Sequence, residues 1–222
     1  MRVLLIDHGC CDLPHARVHA FCHLLARRGA VAMACGPTSV SSLESHKPGL
    51  QGIHLHDIAA ANMLFLEAVR NGSPQSFLEA IATLSPSLLG LVREAARQAI
   101  AEAVDLFIPD VIFVMHAGIL AELAIETGVP MVVHVAICDL NAAAHSEPLR
   151  DLVAASLGSA EIVIAADAPT ADLLRHQWLT PEMEMDVRDS NARDDFCIPA
   201  WPLDFESADA ILTACTHSLN RR

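Results

Sequence analysis

The segment from residue 105 to residue 140 constrains the fold more than any other part of the chain. It predicts a strand over 111–114, a short helix over 120–126 and a second strand over 131–135. Both strands are continuous β-branched, apolar runs, as strands buried on both faces require. Gly128 and Pro130 end the helix between them. The segment therefore predicts one parallel crossover unit, with polar side chains at the exit of each strand.

The same alternation of strands and helices continues along the rest of the chain. Further strands are predicted over 3–6, 30–35, 53–55 and 162–165, with helical patterns over 14–28, 57–70, 74–84, 87–107, 147–157, 170–178 and 207–218. Such alternation predicts an α/β fold, a Rossmann-like, doubly wound and mostly parallel sheet of about six strands. We expect one domain over 1–178, followed by an acidic loop and a C-terminal helical tail over 179–222.

Composition and charge narrow the functional classes. The chain is 53% hydrophobic, enough for a large core, yet its apolar runs are too short for a signal peptide or a membrane span. The net charge of −13 argues against binding a nucleic-acid backbone. Seven cysteines occur without a CxxC pair, which favours reduced thiols. We therefore expect a cytoplasmic protein with no transmembrane segment and no nucleic-acid partner.

Four segments together carry a family resemblance. They are RVLLIDHG with HAFCHLLARRGAVAMACGP, then PDVIFVMHAGILAELAIETGVPMVVHVAICD, SAEIVIAADAPTADLLRHQW and IPAWPLDF. Their order and character resemble the N-terminal, acceptor-side domain of family-4 glycosyltransferases of the GT-B fold. The likeness covers most of residues 1–178. It implies transfer of a sugar from a nucleotide-sugar co-substrate to a small-molecule or glycan acceptor, with no resident cofactor.

The sequence also departs from that family. Ala136 stands where the family has a histidine, with His134 two residues earlier, and Asp167 replaces a serine. The second Rossmann domain, which carries most donor contacts in the family, has no counterpart here. The resemblance therefore implies a donor-binding domain or subunit acting in trans. A non-catalytic binding or regulatory module of the same fold is the alternative interpretation.

Candidate site residues lie where strands of the predicted sheet end. His116 and Gly118 follow the strand over 111–114, where open α/β sheets bind ligands, and His116 is the predicted catalytic residue. The resemblance adds His134 and Asp139 as acceptor-binding residues, although Asp139 could equally cap the next helix. Gly9 and Cys10 follow the first strand and could bind an anion, but a simple strand-to-helix turn is the preferred interpretation.

Three histidines at helical spacing suggest a metal site as a further alternative. His15, His19 and His23 share one helix stripe, and imidazoles at i and i+4 can converge on one ion. The three span about 12 Å along a helix, however, which is too long for one tetrahedral ion. A half-exposed polar stripe is the preferred interpretation, so no metal is predicted.

Overall fold

The computed structural model describes residues 1–13, 16–39, 49–178 and 205–220. Six strands form one sheet, in the order β3-β2-β1-β4-β5-β6, and every neighbouring pair is parallel. Their bounds are β1 Arg2–Ile6, β2 Val31–Pro37, β3 Leu50–Ile53, β4 Val111–Val114, β5 Met131–Val135 and β6 Ile162–Ala165. This confirms the predicted Rossmann-like, doubly wound sheet.

Helices cover both faces of the sheet. The described residues contain α1 Arg17–Arg27, α2 His56–Ala59, α3 Met63–Asn71, α4 Pro74–Ile81, α5 Pro86–Phe107, α6 Ile119–Ile125, α7 Ile137–Ala144, α8 Glu147–Ser159, α9 Ala168–Gln177 and α10 Phe205–Asn220. The longest, α5, begins as the Ser-Pro signal predicts, because the Ser85 hydroxyl accepts a hydrogen bond from the Leu88 N–H. None of these described helices has both the length and the apolar character needed to cross a membrane.

Alternate side chains of β1 enter two different cores. Leu4 and Ile6 pack with the larger cluster, which the helices from α2 to α9 cover. Val3 and Leu5 pack with the smaller cluster beneath α1 and α10. All four side chains are fully buried, and each contributes about 1.5–3 kcal/mol by the hydrophobic effect. The sheet is thus the middle layer of three.

The strand order creates a switch point between β1 and β4. From β1 the chain proceeds outward to β2 and β3, then returns through α2 to α5 to form β4 on the other side of β1. Ile6 pairs with Val114, and the Met115 N–H donates to the Ile6 carbonyl at 2.8 Å. Residues that follow β1 and β4 therefore lie side by side, where a crevice opens in folds of this order.

Some local boundaries differ from those predicted. The helix predicted over 57–70 is divided into α2 and α3, because the Asn62 side chain accepts from the Phe65 N–H and starts a new helix. Asp12 followed by Pro14 has the sequence pattern of a helix start, but Asp12 does not cap α1, which begins at Arg17. Instead, its carboxylate accepts hydrogen bonds from the backbone N–H and hydroxyl of Ser39, both at 2.8 Å. The acidic loop predicted after residue 178 lies outside the described residues.

The last helix, α10, packs on the α1 side of the sheet. Ile211, Ala214 and Cys215 are fully buried in the smaller core. The Asp209 carboxylate of α10 accepts from the Arg28 guanidinium at 2.6 Å, and the Ser218 hydroxyl donates to Glu161 at 2.7 Å. The helical pattern predicted over 207–218 is confirmed, with α10 extending slightly beyond it at both ends.

Candidate functional site

A cavity of about 260 Å³ lies at the carboxyl ends of β1 and β4. The loops after β1 and β4, the start of α1, the first turn of α7 and the segment from the end of α3 to the start of α4 all contribute to its walls. Its side chains with charge or hydrogen-bonding capacity include Asp7, Arg17, Asn71, Ser73, Gln75 and His116. Pockets for drug-sized ligands measure about 300–1,000 Å³, so this cavity suits a small polar molecule or one portion of a larger one.

Two glycines bring the β1 loop against the α3–α4 loop. A Cβ atom on Gly9 would lie 2.8 Å from the Gly72 carbonyl oxygen, which is closer than real contacts allow. Gly72 itself has a φ of +71°, the left-handed conformation that ends α3 and favours glycine. The Gly9 N–H donates to the Asp7 carboxylate at 2.9 Å. Gly9 therefore serves close packing of the cavity wall.

Cys10 also lines the cavity, as a protonated thiol. Its Sγ donates to the Asp12 carboxylate at 2.7 Å. Burial, together with the adjacent Asp12, raises the pKa of Cys10 to about 12. A thiol with so high a pKa is a poor nucleophile at neutral pH. Cys10 can therefore donate a weak hydrogen bond or pack against a ligand.

His116 and Asp139 form a buried pair at the cavity. The Nδ1 atom of His116 lies 2.9 Å from Oδ1 of Asp139, and the two side chains are 1% and 0% exposed. The other carboxylate oxygen, Oδ2, accepts from the N–H of Ala117 at 3.2 Å and of Ala136 at 3.1 Å. His116 follows β4 and borders the cavity, whereas Asp139 lies in the first turn of α7. Two backbone amides and one imidazole thus fix the carboxylate.

The pKa values of this pair shift in opposite directions. Burial lowers the pKa of His116, but the charge and hydrogen bond of Asp139 outweigh burial and raise it above 6.5. Burial raises the pKa of Asp139, but His116 and the Ala136 N–H outweigh it and lower that pKa below its usual value. Both directions indicate that Asp139 is ionised and stabilises a positive charge on His116.

Two more histidines flank His116 in a row across three adjacent strands. His8 follows β1 and His134 lies in β5, with ring centroids 6.2 Å and 6.4 Å from that of His116. Nε2 of His8 accepts from the Leu120 N–H, and Nδ1 of His134 donates to the Met115 carbonyl. Burial lowers the pKa of His8 to about 3 and that of His134 to about 4, so both stay neutral. Of the three rings, His116 is therefore the one that can take up a proton and become positively charged.

The cavity has one further cationic side chain, Arg17, at the start of α1. Burial lowers its pKa from the usual value, while the nearby Asp7 carboxylate acts in the opposite direction. A guanidinium remains charged throughout the physiological range. Among the described residues, the cavity lining thus has one carboxylate, one guanidinium and one imidazole, together with neutral amide and hydroxyl groups.

Some of the predicted site residues line the cavity, and the others are buried behind its lining. His116, Gly9 and Cys10 line the cavity. Gly118, His134 and Asp139 are buried and do not belong to its lining. Gly118 has a φ of +149° and packs so close to Leu78 that a Cβ atom would lie 2.8 Å from it. These three residues are therefore placed to support His116 and the turn that follows it.

Several residues of the cavity were not predicted. Asp7 and Arg17 flank the predicted Gly9 turn, and the loop over 71–75 comes from a distant part of the chain. A sequence signal existed for Asp7, because it directly follows the first strand. Cys138 could have been predicted in the same way, because it is adjacent to the predicted site residue Asp139. The 71–75 loop had none beyond its turn residues.

The predicted histidine stripe is only partly described. His15 lies outside the described residues, while on α1 His19 is partly buried and His23 is exposed. Among the described residues, three side chains that could bind one metal ion lie together away from this stripe: His116, Cys138 and Asp139. Their potential ligand atoms all lie within 4.8 Å of one another. Two of these three residues, His116 and Cys138, line the cavity.

Comparisons with known proteins extend the structural description. No protein-family model and no curated protein matches the sequence. Among solved structures, sucrose-phosphate synthase from Thermosynechococcus elongatus is 10% identical, with a TM-score of 0.56 over 98% of both chains. The glycosyltransferase SsfS6 from Streptomyces sp. SF2575 is 12% identical, with a TM-score of 0.42 over 74% of this chain and 50% of its own. UDP-GlcNAc 2-epimerase from Neisseria meningitidis is 13% identical, with a TM-score of 0.45 over 85% of this chain and 45% of its own.

Of these three similarities, the one to sucrose-phosphate synthase, with a TM-score of 0.56, supports the assignment of the fold. At 10% identity it speaks for the fold alone. The chain has a glycosyltransferase-like, Rossmann-type fold.

Proposed function

We propose that this chain is the acceptor-side domain of a family-4-like glycosyltransferase of the GT-B type. His116 would take the proton of an acceptor hydroxyl, while a separate domain or subunit binds the nucleotide-sugar donor. One observation carries the proposal: His116 borders the cavity at the switch point, and a buried carboxylate fixes its Nδ1 atom. The glycosyltransferase-like fold supports the choice of reaction class.

The geometry of the pair suits proton transfer from a hydroxyl group. Because Nδ1 of His116 donates to Asp139, the Nε2 atom is the nitrogen that can accept a proton. The acceptor oxygen forms a bond to the anomeric carbon of the sugar, the bond to the nucleoside diphosphate breaks, and the hydroxyl proton moves to Nε2. Asp139 then stabilises the imidazolium, as a carboxylate does in other His–Asp pairs.

The lining of the cavity suits a small polyhydroxylated acceptor. Asp7 can accept hydrogen bonds from hydroxyl groups, and Arg17 can donate them. Asn71 and Gln75 each offer both an acceptor oxygen and a donor nitrogen. Since each hydroxyl both donates and accepts, such a mixed lining can hold several hydroxyl groups of one sugar or polyol.

A non-catalytic binding module is the second candidate, and Asp167 favours it. This residue stands where the resembling family has a serine. Its carboxylate accepts from the Thr170 N–H at 2.7 Å and caps α9. The residue that departs from the family's serine thus serves here as a helix cap.

Calorimetry with acceptors and donors tests the proposal. We expect glycerol, myo-inositol or glucose to bind the full chain, and UDP-glucose or GDP-mannose alone not to bind. His116→Asn should retain acceptor binding within about threefold but abolish sugar transfer once a copurifying donor-binding protein is added. His23→Asn, on an exposed site of α1, is the matched control. Transfer that survives His116→Asn would refute the role of His116, and acceptor binding without any transfer would favour the binding module.

A further inference from the structure

The cluster of His116, Cys138 and Asp139 has the composition and spacing of a transition-metal site. The three side chains are 1%, 3% and 0% exposed. One imidazole nitrogen, one sulfur and one carboxylate oxygen lie within 4.8 Å of one another. Nitrogen, thiolate and carboxylate ligands are those that zinc uses in proteins. We propose that this cluster binds one thiophilic divalent cation, with Zn²⁺ as the best fit.

A single oxygen atom is the centre of the cluster. Oδ1 of Asp139 lies 2.9 Å from Nδ1 of His116 and 3.5 Å from Sγ of Cys138, and both groups direct hydrogen bonds to it. Tetrahedral zinc bonds sulfur at about 2.3 Å and nitrogen or oxygen at about 2.0–2.1 Å, which separates neighbouring ligand atoms by about 3.3–3.5 Å. The sulfur–oxygen distance already meets this requirement. The nitrogen–oxygen distance has to widen by only about 0.4 Å. The nitrogen–sulfur distance, at most 4.8 Å, has to reach about 3.5 Å.

The remaining contacts hold the carboxylate in the orientation that an ion requires. Oδ2 of Asp139 accepts from two backbone amides, of Ala117 and Ala136, so Oδ1 is directed toward the other two ligands. Carboxylate ligands in metal sites are typically fixed by such outer hydrogen bonds. Cys138 and Asp139 are adjacent in the first turn of α7, and His116 follows the neighbouring strand β4. The ligands therefore come from rigid elements.

The cavity supplies both a path for the ion and an open coordination position. His116 and Cys138 both line it. A fourth ligand, water or a bound small molecule, can therefore reach an ion held by the three side chains, as in zinc sites with three protein ligands. Binding replaces two protons, one on Nδ1 of His116 and one on Sγ of Cys138, and both leave to solvent. The resulting ligand set, one thiolate and one carboxylate, neutralises the charge of a divalent cation.

Metal binding and the proposed proton transfer exclude each other. An ion on Nδ1 leaves the ring proton of neutral His116 on Nε2, which then cannot accept a proton from a hydroxyl. This consequence, unlike the site itself, depends on the proposed function. The site is therefore tested by spectroscopy, without any activity measurement.

Cobalt(II), which takes the same ligands as zinc, is the probe. Metal-depleted full-length protein without a polyhistidine tag is titrated with Co²⁺ and the near-ultraviolet absorption is recorded. We expect a sulfur-to-cobalt charge-transfer band that saturates at one equivalent and disappears when Zn²⁺ is added. Cys138→Ala should remove the band and weaken binding at least tenfold. Cys10→Ala, which removes the other thiol of the cavity, should retain the band.

Two outcomes would overturn the proposal. One is a band that persists in Cys138→Ala or disappears in Cys10→Ala. The other is binding that depends on His19 and His23 of the α1 stripe, tested with a double alanine variant of both. If Cys138→Ala does not fold, X-ray absorption on the zinc-loaded wild-type protein decides. One sulfur with nitrogen and oxygen neighbours supports the site, and a shell without sulfur refutes it.

Discussion

Replacing His134 by asparagine should make the protein less sensitive to acid. In the folded protein His134 is buried, its Nδ1–H donates to the Met115 carbonyl, and its pKa is lowered to about 4. In the unfolded chain the same ring takes up a proton near its ordinary pKa of 6.5. Between pH 6.5 and pH 4, acidification therefore stabilises only the unfolded state, and the free energy of unfolding falls as the pH is lowered.

The size of the effect follows from the two pKa values. At pH 5 the unfolded ring is mostly protonated and the folded ring is not, which costs the folded state about 2 kcal/mol relative to pH 7.5. The side-chain amide of asparagine can donate to the Met115 carbonyl as Nδ1 does, but it does not titrate. Any packing loss that it causes is the same at both pH values. The difference in unfolding free energy between wild type and His134→Asn should therefore change by about 2 kcal/mol between pH 7.5 and pH 5.

Urea denaturation followed by circular dichroism at the two pH values measures this change. His23→Asn, the same substitution at an exposed histidine of α1, provides the control. If the difference between wild type and His134→Asn is the same at pH 7.5 and pH 5, His134 is not a buried neutral ring. The description of a charged His116 between neutral histidines would then be wrong.

Four further substitutions test the glycine packing, the buried ion pair and a helix cap. Gly36→Ala should destabilise the protein by about 1–3 kcal/mol in urea denaturation, because the new Cβ atom would overlap the Cys11 sulfur. Gly90→Ala, on an exposed turn of α5 with open space around it, should instead stabilise the protein by about 0.5–1 kcal/mol. Equal effects of the two substitutions on the unfolding free energy would contradict the glycine packing. Asp139→Asn should lower the free energy of unfolding by about 3–5 kcal/mol at mildly acidic pH, because it leaves a buried imidazolium without its carboxylate. The loss should become smaller as the pH rises through the raised pKa of His116. A loss that is independent of pH would argue against the ion pair. Asn62→Ala should lower the free energy of unfolding by about 1 kcal/mol, and with it the melting temperature, because the Asn62 side chain caps α3. An unchanged melting temperature would show that the cap does not contribute to stability.

The sheet could be predicted because its signals are local. Continuous apolar strands, glycine stops and alternating helices specify a parallel crossover fold, and the resulting sheet places His116 and Asp139 at neighbouring strand exits. The sequence thus predicted which edge of the sheet holds polar groups. It left Asp139 as either a helix cap or a binding residue, whereas the carboxylate accepts from the Ala136 N–H at the start of α7 and also bonds His116, a contact across 23 residues that no local pattern specifies.

The rest of the cavity depends on contacts between distant parts of the chain. Asp12 has the sequence pattern of a helix cap, yet its carboxylate accepts hydrogen bonds from Ser39, which is 27 residues away in the sequence. The loop over 71–75 reaches the cavity only because Gly9 and Gly72 allow two loops to touch. The neutral state of His8 likewise arises from burial, which no local spacing reveals.

The contact between Gly9 and Gly72 also limits how the cavity can vary. At the contact itself neither residue has a side chain to shorten, and an atom added to Gly9 would push the two loops apart. The remaining walls carry Leu13 and Met115, whose side chains can be trimmed without disturbing the backbone. A chain of this kind that came to accept bulkier ligands would therefore do so by substitutions at these apolar positions, with both glycines retained.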